Sequence, residues 1–279
     1  MTAPTSPTTT TAGSLDVAGV SRSAAPARPT AAEAPLVSYL LGLGDDALVL
    51  AQRLGAWVTR APQIEEDIAL GNIALDLLGQ ARTLLTYAGE VEGTGRDEDA
   101  LAFLRDERDF RNVWLVEIPN GDFAVTMARQ LLFSAYQCEL YAGLLASADA
   151  TLAGLAAKAV KEVRYHRDHA TQWVLRLGDG TPEAHVRMQA ALERTWPYVD
   201  ELFDHDDAAA ALPGVAVDPA SLRPAWSAYV EDVVGRATLA VPQPTWRSRG
   251  GRVGLHSEHL GHLLPEMQHL HRAHPGATW

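Results

Sequence analysis

Two short stretches of this chain each carry half of a metal-binding motif. A helical bundle can hold two iron ions when two helices each carry Glu-x-x-His and two others each supply one Glu, all pointing into the core. The stretch from Val163 to His166 keeps the histidine but has valine where the carboxylate is needed. The stretch from Asp76 to Gly79 keeps an acid but has glycine in place of the histidine. The pattern predicts a bundle whose iron site is degenerate.

Asp76 is the acid of the second stretch, and its immediate neighbours are leucines. By the 3.6-residue period, its helical face also carries Glu65, Asn72 and Thr83. We expect Asp76 to be at least partly buried and structural, with a role as metal ligand as the alternative. Orphaning a buried charge costs about 3–5 kcal/mol. A partner from another helix is therefore predicted, with His166 or Arg164 as candidates.

The helix that carries His166 has other possible donors. Its stripe reads Glu162, His166, His169 and Trp173. Glu162 and His166 are four residues apart and could bind a metal, but this is not the Glu-x-x-His spacing. We expect Glu162 to be solvated or paired within its own helix.

The helix that begins at Asp122 provides the strongest evidence against an iron site. Its predicted buried seam reads Met127, Leu131, Ser134, Cys138, Tyr141 and Leu145, without a carboxylate. Glu139 is turned about 100° away from that seam, so we place it at the surface or at an interface. The seam of the first helix, from Leu36 to Trp57, contains no acid either. The interior is thus expected to be poor in donors, with about one carboxylate and one imidazole against the four and two of a di-iron centre.

We therefore predict no catalytic, cofactor-binding or metal-binding residue in this chain. The degenerate remnant positions of an iron site are Asp76, Gly79, Ser134, Val163 and His166.

A group of histidines near the C-terminus could mimic a metal site. It comprises His256, His259, His262, His269, His271 and His274, with Glu258 and Glu266. Glu266 and His269 even match Glu-x-x-His. A single match of this kind is common, so we expect these histidines to be solvated or to face another protein chain.

Composition excludes several classes of function. The formal net charge is −12 and Lys158 and Lys161 are the only lysines, so no coherent positive face for nucleic acid is expected. The single Cys138 excludes an intrachain disulfide and favours a reducing cytoplasm. The chain contains no run of 18 uninterrupted apolar residues, so a membrane span is not expected. No phosphate-binding loop or nucleophile elbow is present.

Residues 1–35 and 36–279 differ in composition. The first segment is rich in Thr, Ala, Pro and Ser and is predicted to be a disordered tail. The second is predicted to be one all-α domain, a ferritin-like antiparallel helical bundle with additional C-terminal helices. Helices are expected from about residue 36 to Pro62, 64–88, 97–113, 122–147, 151–177, from Thr181, 221–239 and 257–272.

Four longer runs carry a family resemblance. They are Ala74–Arg82 (ALDLLGQAR), Val116–Phe123 (VEIPNGDF), Lys161–His166 (KEVRYH) and Gly254–Gly261 (GLHSEHLG). On these runs the chain, from about Leu40 to Trp279, resembles the C subunits of ring-1,2-phenylacetyl-CoA epoxidases, which act in bacterial phenylacetate degradation.

The resemblance implies a non-catalytic structural subunit. In that family the di-iron site belongs to a similar A subunit, which keeps the carboxylate that matches Val163. The C subunit pairs with the A subunit. The complex also contains a small B subunit and a reductase subunit with flavin and an iron–sulfur cluster. It epoxidises the ring of phenylacetyl-CoA with O2 and electrons from NADPH.

Two other hypotheses remain open at this stage. One is an active di-iron monooxygenase with unusual ligands, drawn from Glu65, Asp76, Glu162, His166 and His169. The other is a homodimeric storage or stress bundle, which would assemble with itself and need no partner.

Overall fold

A computed structural model describes Met1 and residues 34–277. Most of the segment predicted to be a tail, residues 1–35, lies outside the described residues. The first helix begins at Ala34 and so includes the last two residues of that segment. Within the described part of the chain there are helices and loops and no strand, which confirms the predicted all-α fold.

Ten α-helices occupy the described residues. In chain order they are α1 (Ala34–Gly55), α2 (Ile64–Glu92), α3 (Glu98–Phe103), α4 (Trp114–Glu117), α5 (Phe123–Leu144), α6 (Ala150–Gly178), α7 (Pro182–Thr195), α8 (Asp207–Ala210), α9 (Pro219–Arg236) and α10 (Glu258–Ala273). Short 3₁₀ turns lie at Glu107–Asp109, Trp196–Tyr198, Asp200–Phe203 and Gly251–Val253.

The four long helices form the bundle. Short loops join α1 to α2 and α5 to α6, so each pair is an antiparallel hairpin with an extensive contact. Side-chain bonds between α2 and α6 run in opposite order along the two helices, from Glu66–His169 through Gln80–Glu162 to Tyr87–Asp149 at the N-cap of α6. Helix α6 is antiparallel to both α2 and α5. Helices α2 and α5 therefore run parallel to each other.

That parallel pair needs a long crossover, which residues 93–122 provide, and one long crossover is the connectivity of ferritin-like bundles. Helices α7 and α9 pack on α5 and α6, and α10 packs on α3 and α4. The predicted ferritin-like bundle with additional C-terminal helices is therefore the observed architecture.

Helix ends follow the local sequence. The Asp122 side chain accepts the backbone N–H of Val125 at the start of α5, and Thr181 accepts that of Ala184 before Pro182 of α7. Helix α2 continues to Glu92, beyond the predicted end near residue 88, and stops where Gly93 takes a left-handed φ of 65°. Helix α1 ends at Gly55, ahead of Pro62, where the sequence predicted its end.

The predicted helix over residues 97–113 is wrong. It ends at Phe103, and the chain then runs as a 3₁₀ turn and extended backbone. Two buried carboxylates of α1 take over the backbone amides, since Asp45 accepts the N–H of Arg111 at 2.8 Å and Asp46 accepts that of Val113 at 2.8 Å. These tertiary bonds replace the hydrogen bonds that a continuing helix would make.

Helices α1 and α5 each contribute more buried residues to the core than any other helix of the described chain. Almost every residue of α5 is buried, although Leu145, placed on its seam, is exposed just beyond the helix end. Helix α1 is long and apolar enough to cross a membrane by length and composition alone. In the bundle 78% of that stretch is buried, and core helices pass the same test.

Candidate functional site

Two of the remnant positions, Asp76 and His166, meet where α2 packs on α6. The Nε2 atom of His166 lies 3.0 Å from Oδ2 of Asp76, which confirms the predicted partner for this carboxylate. His166 is buried, with 1% of its side chain exposed, whereas Asp76 is 37% exposed. Burial lowers the pKa of His166, although the hydrogen bond to Asp76 opposes that effect. The ring is therefore neutral at pH 7 and donates its Nε2 proton to the carboxylate.

A second pair repeats this arrangement towards the start of α2. The Nε2 atom of His169 lies 2.7 Å from Oε2 of Glu66. The predicted candidate was Glu65, which is exposed, and not its neighbour Glu66. Glu66 shares the inward stripe of α2 with Leu70 and Ile73, and that stripe could have identified it.

Glu162 bonds across the bundle and does not pair with His166. It accepts the Nε2–H of Gln80 at 3.0 Å, and Oε1 of Gln80 accepts the hydroxyl of Tyr141 at 3.1 Å. Lys158 lies 3.7 Å away on the same helix. Lys158 thus confirms the expected pairing of Glu162 within α6. In addition, Gln80, a buried glutamine of α2, connects Glu162 to Tyr141 of α5.

The other remnant positions supply no donor to this contact. Ser134 is buried and donates its hydroxyl to the backbone oxygen of Gln130 in its own helix. Val163 is fully buried, and its backbone oxygen accepts the Cys138 thiol at 3.4 Å. At Gly79 an added Cβ would meet no atom within 4 Å.

These side chains do not fit a di-iron centre. Asp76, Glu66 and Glu162 each already have a hydrogen-bond partner on another helix, and the imidazole nitrogens there that are buried without a hydrogen bond are the Nδ1 atoms of His166 and His169. Two imidazole nitrogens fall well short of four carboxylates and two histidines. Across Met1 and residues 34–277, no group of three or more His, Cys, Asp or Glu side chains is placed to hold a metal ion. The contact is suited to cross-linking two helices.

The expectation of an interior poor in donors is nevertheless wrong. A second region, which we call the acidic core cluster, consists of the buried carboxylates Asp45, Asp46, Glu117 and Glu201. Two of them lie on α1, on a face outside the seam that the sequence analysis examined. Charged residues on a helix that is buried almost all round are not visible to a search along one apolar stripe.

Arginines neutralise the two acids of α1. Arg105 forms a buried bidentate pair with Asp45, and Arg252 donates to Asp46 at 2.7 Å. Arg252 also donates to the backbone oxygens of Gly42 and Arg111. These pairs join α1 to the crossover and to the segment before α10.

Backbone amides and a histidine satisfy the other two acids. Glu117 accepts from the Asn112 side chain at 2.8 Å, from His256 Nδ1 at 2.8 Å and from the N–H of Ser257 at 2.7 Å. Glu201 accepts from the N–H groups of Trp114 and Gly251 and from the Ser248 hydroxyl. Burial raises the pKa of Glu201, and these three donors oppose the shift.

The C-terminal histidines do not converge. The His256 side chain is completely buried against Glu117, so it is neither solvated nor free for another protein chain, contrary to the prediction. Burial lowers its pKa, but the hydrogen bond and charge of Glu117 outweigh that effect and raise the pKa above its ordinary value. His271 stacks on Phe103 with ring centroids 4.9 Å apart. Glu266 and His269 are exposed, as His262 and His274 are.

Comparison with known proteins agrees with the family resemblance. A family model described as phenylacetic acid catabolic protein matches residues 20–279. The chain is also similar to the C subunit of 1,2-phenylacetyl-CoA epoxidase from Escherichia coli (strain K12). The two are 52% identical over 246 residues, which cover 88% of this chain and 99% of that protein. These matches confirm the resemblance read from the four runs.

Proposed function

Because the chain belongs to the phenylacetic acid catabolic protein family, we propose that it is the C subunit of a cytoplasmic 1,2-phenylacetyl-CoA epoxidase. In this role it is a structural subunit that pairs with, stabilises and orients a di-iron catalytic A subunit. The same proposal includes a small B subunit and a reductase subunit with flavin and an iron–sulfur cluster. This chain contributes no cofactor and no catalytic residue.

One observation carries the proposal. At the contact of α2 and α6, where two Glu-x-x-His helices would face each other, Asp76 and His166 bond to each other while Val163 and Gly79 offer no ligand. A carboxylate and an imidazole that hydrogen-bond to each other cross-link the two helices that carry them. A rigid bundle of this kind can bury the apolar surface of a partner, and permanent interfaces commonly exceed ~2,000 Å².

The competing function is an active monooxygenase with unusual ligands. It would have to use Asp76 and His166 together with Glu66, Glu162 or His169, which are the donors nearest to them. The two functions differ in what the double variant Asp76→Asn/His166→Gln does to iron content and turnover.

The test uses the complex co-expressed with the A subunit. We expect the double variant to keep the iron content and turnover per assembled complex of the unchanged protein, since neither residue binds iron. The matched control is His205→Gln/Asp207→Asn, which removes an exposed His–Asp pair of 3.2 Å. Loss of iron and turnover per complex in the first variant alone would establish the monooxygenase instead. Two iron atoms per chain in this protein purified alone would have the same meaning.

A further inference from the structure

Helix α2 has two apolar faces, and only one of them is used by the bundle. The inward stripe includes Leu70, Ile73 and Leu77 and is fully buried. The outward stripe includes Ile64, Ile68, Leu75 and Leu78, and Leu75 is 65% exposed. A contiguous stripe of exposed apolar side chains marks an interaction surface in proteins that otherwise keep such residues buried. The outward stripe therefore indicates a surface that is covered in an assembly.

The outward stripe forms one wall of an open groove. We call it the outer groove; it has a volume of about 670 Å³ and lies between α1 and α2. Its wall on α1 includes Leu48, Ala51 and Gly55, and its wall on α2 includes Ile68, Leu75 and Leu78. Gln52 and Asn72 are its polar side chains. Such a lining favours a desolvated apolar contact.

Gly71 lies within the outer groove, at a mid-helix position where glycine destabilises a helix relative to alanine. A Cβ at Gly71 would meet no atom within 4 Å, and the same holds for Gly55 at the other wall. The packing of this chain therefore gives no reason for either glycine. Small residues on a helix surface do allow another backbone to approach closely.

The spacing of the outward stripe indicates the shape of the occupant. Ile64, Ile68, Gly71, Leu75 and Leu78 follow one another at intervals of four, three, four and three residues. This is the seam of a helix that packs against another helix at a crossing angle of about 20°. The stripe extends over four turns, or roughly 20 Å. The outer groove thus fits an amphipathic helix.

Two occupants from this protein fit poorly. Residues 2–33 contain Leu15, Val17 and Val20 as their only large apolar side chains, too few for a matching seam. A second copy would bring together two chains with a net charge of −12 each.

We infer that the outer groove is the docking surface for a helix of the di-iron A subunit. The inference rests on the proposed function, which supplies a different helical chain as partner. Leu75 and Leu78 insert on either side of the partner helix, and Gly71 admits its closest approach. Asp76 lies beside this contact. Its hydrogen bond to His166 links α2 to α6 and so stabilises α2, the helix on which the partner helix docks.

The test measures binding of the A subunit to the full chain by titration. We expect Leu75→Glu/Leu78→Glu to weaken binding at least about tenfold, because the new charges would be desolvated without partners. The control Val186→Glu/Leu145→Glu changes two side chains of nearly the same exposure, on α7 and just after α5, and should bind normally. Gly71→Ala, whose added Cβ meets no atom of this chain within 4 Å, should weaken binding while leaving the melting temperature unchanged or higher.

Each contrary result has a separate meaning. Normal binding by both groove variants would overturn the inference while the proposed function stands. Failure of the unchanged chain to bind the A subunit would instead overturn the proposed function. If light scattering shows a dimer of the unchanged chain that the groove variants abolish, the occupant is a second copy. That finding would overturn the inference.

Discussion

The α2–α6 contact and the acidic core cluster contain similar potential metal ligands, but the hydrogen bonds of these side chains differ between the two regions. At the first, a partly exposed carboxylate and a buried neutral histidine share one hydrogen bond, and the Nδ1 atom of His166 has no hydrogen bond. In the second, fully buried Asp45 accepts hydrogen bonds from Arg105 and from a backbone amide. The first region has the residue types of a metal site with too few members. The second has ample carboxylates with no capacity left for a metal.

This difference shows that a count of donors does not predict chemistry. Burying a carboxylate requires compensating charge or hydrogen bonds. When arginines and amides provide them, the site is structural however many acids it holds. Whether a buried acid is saturated by the protein itself therefore decides its role.

The largest effect is expected from breaking a pair in the acidic core cluster. Arg105→Met leaves Asp45 buried without its counter-ion, so the free energy of unfolding should fall by about 3–5 kcal/mol. Urea denaturation measures it. The control is Arg82→Met. The Arg82 side chain is 75% exposed in its ion pair with Glu98, so this pair should contribute less than about 1 kcal/mol to the free energy of unfolding. Equal losses in the two variants would contradict the assignment.

A smaller loss is expected at the α2–α6 contact. Asp76→Ala removes one hydrogen bond from a carboxylate that water already reaches, so we expect a loss of about 1–2 kcal/mol. The same denaturation experiment applies. A loss as large as that of Arg105→Met would mean that the two regions are energetically alike.

The remnant position on α2 should tolerate a side chain. Gly79→Ala adds a methyl group that meets nothing within 4 Å and improves helix propensity. The free energy of unfolding should rise by about 0.5–1 kcal/mol. A decrease measured by thermal denaturation would show that Gly79 has a packing role in the isolated chain.

The smallest effects are expected in the dependence of stability on pH, where the two regions should have opposite signs. Burial lowers the pKa of His166. Its contribution to the free energy of unfolding is therefore complete above about pH 6.5 and is lost as pH falls below that value. Glu117 raises the pKa of His256. The contribution of His256 to the free energy of unfolding is therefore complete below about pH 6.5 and is lost as pH rises.

Urea denaturation of His166→Asn and His256→Asn between pH 5 and pH 8 separates these contributions. Relative to the unchanged protein, each variant should lose one of the two pH dependences. The same sign for both histidines would contradict the contrast between a neutral ring in one region and an ion pair in the other.

Much of the fold was predictable because local rules determine helices. Caps at Asp122 and Thr181 and the glycines after α2 set helix boundaries, and α5, α6, α9 and α10 begin and end within three residues of the predicted positions. The resemblance to C subunits was also predictable, since long runs of residues in the same order carry it. The missing ligands at Val163 and Gly79 are visible in the sequence for the same reason.

The remaining features depend on tertiary contacts. The sequence could not show that Asp45 and Asp46 end a helix some sixty residues later in the chain, because that effect needs hydrogen bonds across the fold. For the same reason, His256 was expected in solvent. Leu75, one of the leucines beside Asp76, was taken as a sign of burial, and only the assembled bundle shows that its face of α2 is open.

The sequence alone thus determined the helices, the family and the absence of the Glu-x-x-His pairs, since these depend on residue identity and spacing along the chain. The tertiary structure decided which acids are saturated and which apolar face is left uncovered. Both depend on distances between residues far apart in sequence, and a one-dimensional pattern does not contain those distances.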